Sequence, residues 1–290
     1  MTSDHPHSSR RDFLRIAGAG AMGSCAALAG LMGNAEEKSV APETPERARK
    51  LSLALASYTT RKFDLAQTLK MAKRAGLSAV CLKSFHLPLE ATPETIKAAA
   101  ESVKKENLIL YGCGVVTMRN EAEVNQAFQY AKTAGMSRIM AAPSVEVLPL
   151  LDKKVREFDI QLCIHNHGPG DKTFPTPDVA YKAIKDLDSR IGLCHDVGHT
   201  TRYGADPVAM TEQCADRIYD VHIKDVTAAR KEGDTVACGR GVIDLPRLLR
   251  AIVKSGFKGY LAFEYESEAD DPLPGLAESV GYIRGVLDSI

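Results

Sequence analysis

From Leu51 onward the hydrophobic positions alternate between two periods. Apolar runs of strand length fall at 51–57, 77–84, 108–116, 137–143, 160–167, 191–196, 218–225 and 260–266. Between them lie stretches such as LAQTLKMAKRAG, PETIKAAAESVKKE, EAEVNQAFQYAKTAG and PDVAYKAIKDL, whose apolar residues recur every three to four positions and therefore predict amphipathic helices. Gly76 and Gly135 stand where helix C-caps are wanted, and Pro93, Pro177 and Pro207 suit first helical turns. Eight strand–helix units predict a closed parallel (β/α)8 barrel in a single domain spanning 51–290. An open doubly wound sheet is the alternative, but no Gly-x-Gly-x-x-Gly follows the first strand.

In such a barrel the chemistry sits at the C-terminal ends of the strands. The polar residues that interrupt the apolar runs gather at those ends: Lys83 and His86, then His165 and His167, Asp196 and His199, His222, Lys224 and Asp225, and finally Glu264 and Glu266. Successive side chains of a strand point to opposite faces, so Cys163, His165 and His167 share a face, as do Cys194 and Asp196, His222 and Lys224, and Glu264 and Glu266. If these faces line the interior, imidazoles and carboxylates from four consecutive strands meet on one side of the mouth. A mixed nitrogen and oxygen donor set suits one divalent metal, Mn, Co, Zn, Fe or Mg, with Mn favoured. The alternative is a network of buried salt bridges, which is costly at that charge density without an ion.

At these residues the sequence resembles a known family. DVGH at 196–199, HIKD at 222–225, GYLAFEYE at 259–266 and GRGVID at 239–244 are similar to motifs of the sugar phosphate isomerase/epimerase family of xylose isomerase-like TIM barrels, more distantly related to the endonuclease IV nucleases. The resemblance implies one metal held by a Glu, an Asp, a His and a Glu from strands five to eight. Carried over, the last three are Asp196, His222 and Glu264, while His165 stands where the family often has Glu. A metal in this place would acidify a C–H beside a carbonyl; Glu266 or Glu264 is then the candidate base, His167, Lys224 or His199 the candidate proton donor, and His86, Lys83, His199, Arg202 and Arg240, from their places beyond the strand ends, the candidate substrate contacts. Reprotonation would make the protein an isomerase or epimerase of a non-phosphorylated keto-sugar. Expulsion of a group from the next carbon would make it a 3-keto-glycoside lyase or hydratase. A metal phosphodiesterase or a non-catalytic sugar-binding barrel are further readings.

The first 35 residues read differently. SSRRDFLR followed by an apolar Gly- and Ala-rich run and Gly33-Asn34-Ala35 resembles a twin-arginine export signal, which implies a periplasmic destination. A membrane anchor is the rival, but the run is weakly hydrophobic, so no stable membrane insertion is expected after signal removal. Residues 36–50 read as a polar spacer. With 37 basic and 37 acidic residues and no basic stripe, the chain offers nucleic acid no electrostatic footprint; the family resemblance implies a small-molecule sugar as partner, and a homo-oligomer is a further expectation. Of the six cysteines beyond the signal, at least four fall in core strands and read as buried thiols rather than disulfides.

Overall fold

The computed structural model describes residues 51–290; the export-signal and spacer expectations lie outside the described residues. Eight parallel strands close into a barrel: β1 (Ser52–Ala56), β2 (Ala79–Leu82), β3 (Ile109–Met118), β4 (Arg138–Pro143), β5 (Gln161–His165), β6 (Ile191–Asp196), β7 (Ile218–Ile223) and, after a short ribbon, β10 (Tyr260–Phe263). Strand order follows the chain, and β10 closes the circle against β1 by pairing Ser52 with Tyr260 through Leu55 with Phe263. Helices α1 (Leu65–Arg74), α2 (Pro93–Lys105), α3 (Glu121–Ala134), α4 (Leu148–Phe158) and α5 (Pro177–Ile184) follow β1 to β5 in turn. Two short helices, α6 (Val197–Arg202) and α7 (Pro207–Gln213), follow β6, and α8 (Leu245–Lys254) and α9 (Leu273–Ser289) complete the ring. Among the described residues no helix is long and apolar enough to cross a membrane.

Local chemistry explains the boundaries. Asp64 caps α1 through a reciprocal box with Gln67, Pro93, Pro177 and Pro207 open α2, α5 and α7, and Gly135 ends α3 in the left-handed region at φ 70°. The alternation of each strand sorts two cores. Ala54, Ala79, Cys81, Tyr111, Met140, Cys163, Cys194 and Ala262 fill the barrel interior, whereas Leu55, Val80, Leu162, Leu193, Val221 and Phe263 pack outward in the larger cluster shared with the helices. Cys163, Cys194 and Ala262 lie two residues before His165, Asp196 and Glu264, so all three polar residues also point inward. The six described cysteines are free and buried.

The predicted strands are longer than the observed ones at the mouth. β5 ends at His165, β7 at Ile223 and β10 at Phe263, so His167, Lys224, Glu264 and Glu266 stand on the loops leaving the strands. The stretch after β7 forms a small antiparallel ribbon, β8 (Asp225–Val226) with β9 (Thr235–Val236), which the hydrophobic pattern did not announce because each strand has only two residues.

Candidate active site

Four buried side chains converge at the barrel mouth. One donor atom each from His165, Asp196, His222 and Glu264 lies within 4.8 Å of the others. His165 Nε2 is 3.1 Å from His222 Nδ1, and that nitrogen is 3.1 Å from Glu264 Oε2. His165 Nε2 is also 3.4 Å from Asp196 Oδ2. The parity of β5, β6 and β7 and the first residue beyond β10 place these groups side by side, as register shows: Asp196 pairs with His222, and His165 with Cys194.

Each motif has a mechanical reason. In DVGH, Asp196 uses Oδ1 to cap α6, accepting from the His199 N–H at 2.7 Å, which leaves Oδ2 directed into the site. Asn166, the first residue beyond β5, clamps the backbone of Asp196 from both sides, accepting from its N–H at 2.9 Å and donating to its carbonyl at 3.2 Å. A Cβ on Gly198 would lie 2.5 Å from Cγ and Cδ of Lys224, so the glycine makes room for the lysine stem of HIKD. Asp225, buried, accepts from the backbone N–H groups of Val226, Gly239, Gly241 and Ile243 and so ties the GRGVID loop to the end of β7.

The electrostatics divide the site. Lys224 is buried, with Nζ 2.9 Å from Asp196 Oδ2, 2.9 Å from Glu264 Oε2 and in contact with Glu266 Oε1. Burial opposes its charge, but these three carboxylates overcome that cost and hold its pKa well above the ordinary lysine range. Asp196 and Glu264 are likewise pulled well below the carboxylate range: burial pushes each up, but His199 and Lys224 for the one, and Lys224 and His222 for the other, outweigh it. Burial depresses His165 and His167, whereas for His222 Glu264 reverses the effect of burial and raises it. One layer deeper, burial raises the Asp220 carboxyl to about 6.

These residues fit a divalent ion. The donor set is two imidazoles and two carboxylates, and Asp196 Oδ2, although 2.9 Å from Lys224 Nζ, makes no aligned hydrogen bond. His165 Nε2 and His222 Nδ1 face one another and two carboxylate oxygens at 3.1 to 3.4 Å, so four lone-pair atoms turn toward one point, where a cation would be held.

A cavity of about 190 Å³ opens above the donors, roughly the volume of six waters. His167, His199 and Lys83 line it beside His165, Glu264 and Glu266. Three other sequence candidates stand elsewhere. His86 is buried and its ring is taken up by Ser57 Oγ at 2.9 Å and Thr68 Oγ1 at 3.0 Å. Arg202 donates to the Lys231 carbonyl at 2.8 Å, and Arg240 forks onto Glu278. Local partners therefore occupy the polar atoms that were expected to meet substrate. Tyr58 was missed: its ring lines the cavity, with the Arg61 guanidinium 4.7 Å and Lys83 Nζ 5.2 Å from its centroid. Its position just past β1 was the available signal.

Comparison with known proteins follows the same lines. The chain is 29% identical over 147 residues to the rhizopine catabolism protein MocC of Rhizobium meliloti, covering 46% of this chain and 45% of that protein. It is 30% identical over 137 residues to an inosose dehydratase of Lacticaseibacillus casei, covering 42% and 45%. The chain thus matches just under half the length of these curated relatives. Among solved structures, the IolI protein with a bound zinc atom superposes with a TM-score of 0.69 at 18% identity over 82% of this chain and 98% of that one, a likeness of fold. Residues 46–286 match the family described as the xylose isomerase-like TIM barrel, and the chain belongs to that family.

Proposed function

We propose that this protein is a divalent-metal-dependent enzyme that removes a proton beside the carbonyl of a non-phosphorylated keto-sugar or keto-cyclitol. The convergence of His165, Asp196, His222 and Glu264 beside a cavity of about 190 Å³ carries the reading. A bound ion would polarise the carbonyl and acidify the neighbouring C–H. Glu266 stands outside the donor set, lines the cavity and keeps 29% of its side chain exposed, which suits a general base. Lys224 holds its proton and works as a charged donor that aims Glu266 and Glu264 rather than as a proton shuttle. His167 and His199, on the facing wall, are placed to deliver a proton.

Two outcomes follow from the same first step. Return of the proton to carbon gives an isomerase or epimerase. Delivery of a proton from His167 to a hydroxyl on the next carbon breaks that C–O bond, releases water and leaves an unsaturated ketone. Elimination is favoured by two observations. His165 replaces the carboxylate that a symmetric two-carboxylate exchange would need on strand five, and several relatives are inosose dehydratases.

The experiment is incubation of Mn²⁺-loaded protein with a panel of keto-cyclitols and keto-sugars in D₂O, read by proton NMR and by enone absorbance. Metal-dependent exchange of the proton beside the carbonyl is expected with at least one compound. In Glu266→Gln it should slow by roughly 10² to 10⁴ with metal content unchanged. Full metal loading with no exchange for any compound would reject the enzyme reading, and exchange without enone would select epimerisation.

A further inference from the structure

The layer beneath the metal donors contains a carboxylate that the chemistry above does not use. Asp220 lies two residues before His222 on β7 and is fully buried in the barrel interior. Its Oδ1 accepts from the Cys194 thiol at 3.6 Å, while Oδ2 has no hydrogen-bond partner.

His222 explains why it is there. Nδ1 of that ring sits 3.1 Å from both His165 Nε2 and Glu264 Oε2, so it is the nitrogen that faces the other donors. A neutral imidazole that offers Nδ1 must carry its proton on Nε2. Nε2 is buried and without a hydrogen-bond partner, and Asp220 Oδ1 lies 3.9 Å from it, about 1 Å beyond hydrogen-bond length. Metal-binding histidines usually give the second ring N–H to a carboxylate or carbonyl, which fixes tautomer and ring rotation and raises ligand basicity.

We infer that Asp220 is a positioning residue for His222, receiving Nε2–H when Nδ1 is turned to an ion. The inference rests on the reading of the four converging donors as a metal site. It assigns Asp220 a task that its strand position alone, inward and one layer down, would not distinguish from core filling.

Cobalt titration tests it, following the visible d–d bands of Co²⁺ in the wild-type protein and in Asp220→Leu, Asp220→Ala and Asp220→Asn, with the metal-free melting temperature measured alongside. Leu keeps volume without an acceptor, and Asn keeps an acceptor oxygen without charge. Wild type should bind one Co²⁺ per chain, Leu and Ala should bind 10- to 100-fold more weakly with altered bands, and Asn should recover most of the affinity. Wild-type affinity and bands in the Leu variant would overturn the positioning role, as would an Asn variant no better than Leu. If wild type binds no Co²⁺ or Mn²⁺, the metal reading itself fails and takes this inference with it, a result distinct from the other two. A change in melting temperature with unchanged bands would assign Asp220 to the core alone.

Discussion

The two walls of the mouth use buried polar groups in opposite ways. The wall from β5 and β6 carries His165, His167 and His199, with ring centroids 4.5 Å apart for the first two and 5.8 Å for the first and third. Burial holds His165 and His167 below the ordinary histidine range, so these two rings resist positive charge. The wall from β7 and β10 is an ionic network in which Lys224 pairs with Glu264 and Glu266 and reaches across to Asp196 at the end of β6. Burial acts on both sides, but on the first the carboxylates 3.4 Å from His165 and from His167 do not offset it and the neighbouring rings add to it, whereas on the second Lys224 and its carboxylates outweigh it for one another. The difference teaches that partners, not depth, decide ionisation here.

Removing the cation should show this most strongly. Lys224→Met leaves Asp196 and Glu264 buried without their counter-charge and should cost about 3–5 kcal/mol in the metal-free protein. Urea denaturation measures it, and Mn²⁺ should restore more stability to the variant than to the wild type, since an ion replaces the missing charge. A loss below about 1 kcal/mol without metal would mean that the network contributes little to the fold.

A smaller effect is expected from Gly198→Ala. Alanine in place of glycine favours the helical conformation of α6 by about 0.5–1 kcal/mol, yet the new Cβ meets the Lys224 stem, which three carboxylates hold in place. Overpacking of this kind costs about 1–3 kcal/mol, so net destabilisation should win. A melting temperature above wild type would show that the lysine moves freely.

The smallest effect belongs to His86, a histidine outside both walls. Burial lowers its pKa in the folded state, so as pH falls through about 6.5 the unfolded chain takes up the proton first. Its contribution is complete above that pH and is lost as pH drops toward the folded value. The stability of His86→Gln should therefore fall less steeply than that of wild type between about pH 7 and pH 5, by less than about 1.4 kcal/mol per unit. Parallel curves would place the titration elsewhere.

Much of this was legible in the chain. Alternation in IQLCIHNH and IGLCHD put Cys163 on the face of His165 and Cys194 on that of Asp196, and both cysteines pack in the barrel interior. Motif spacing could not show which polar residues already have partners. His86, Arg202 and Arg240 looked like free hands, but Ser57 and Thr68, the Lys231 carbonyl and Glu278 hold them. These partners lie 18 to 38 residues away along the chain. Tyr58 escaped notice because a single aromatic after a strand has no period to mark it.

By itself, then, the sequence determined the barrel, the inward face of each strand and the end at which chemistry gathers, because those follow from periods of two and 3.6 repeated eight times. Only the tertiary structure decided which nitrogen of His222 faces the other donors, that Gly198 clears the path of Lys224, and that Asp220 lies beneath the site. Those facts depend on the stagger between neighbouring strands and on ring rotation. Both are set by contacts across the barrel, and no local pattern encodes them.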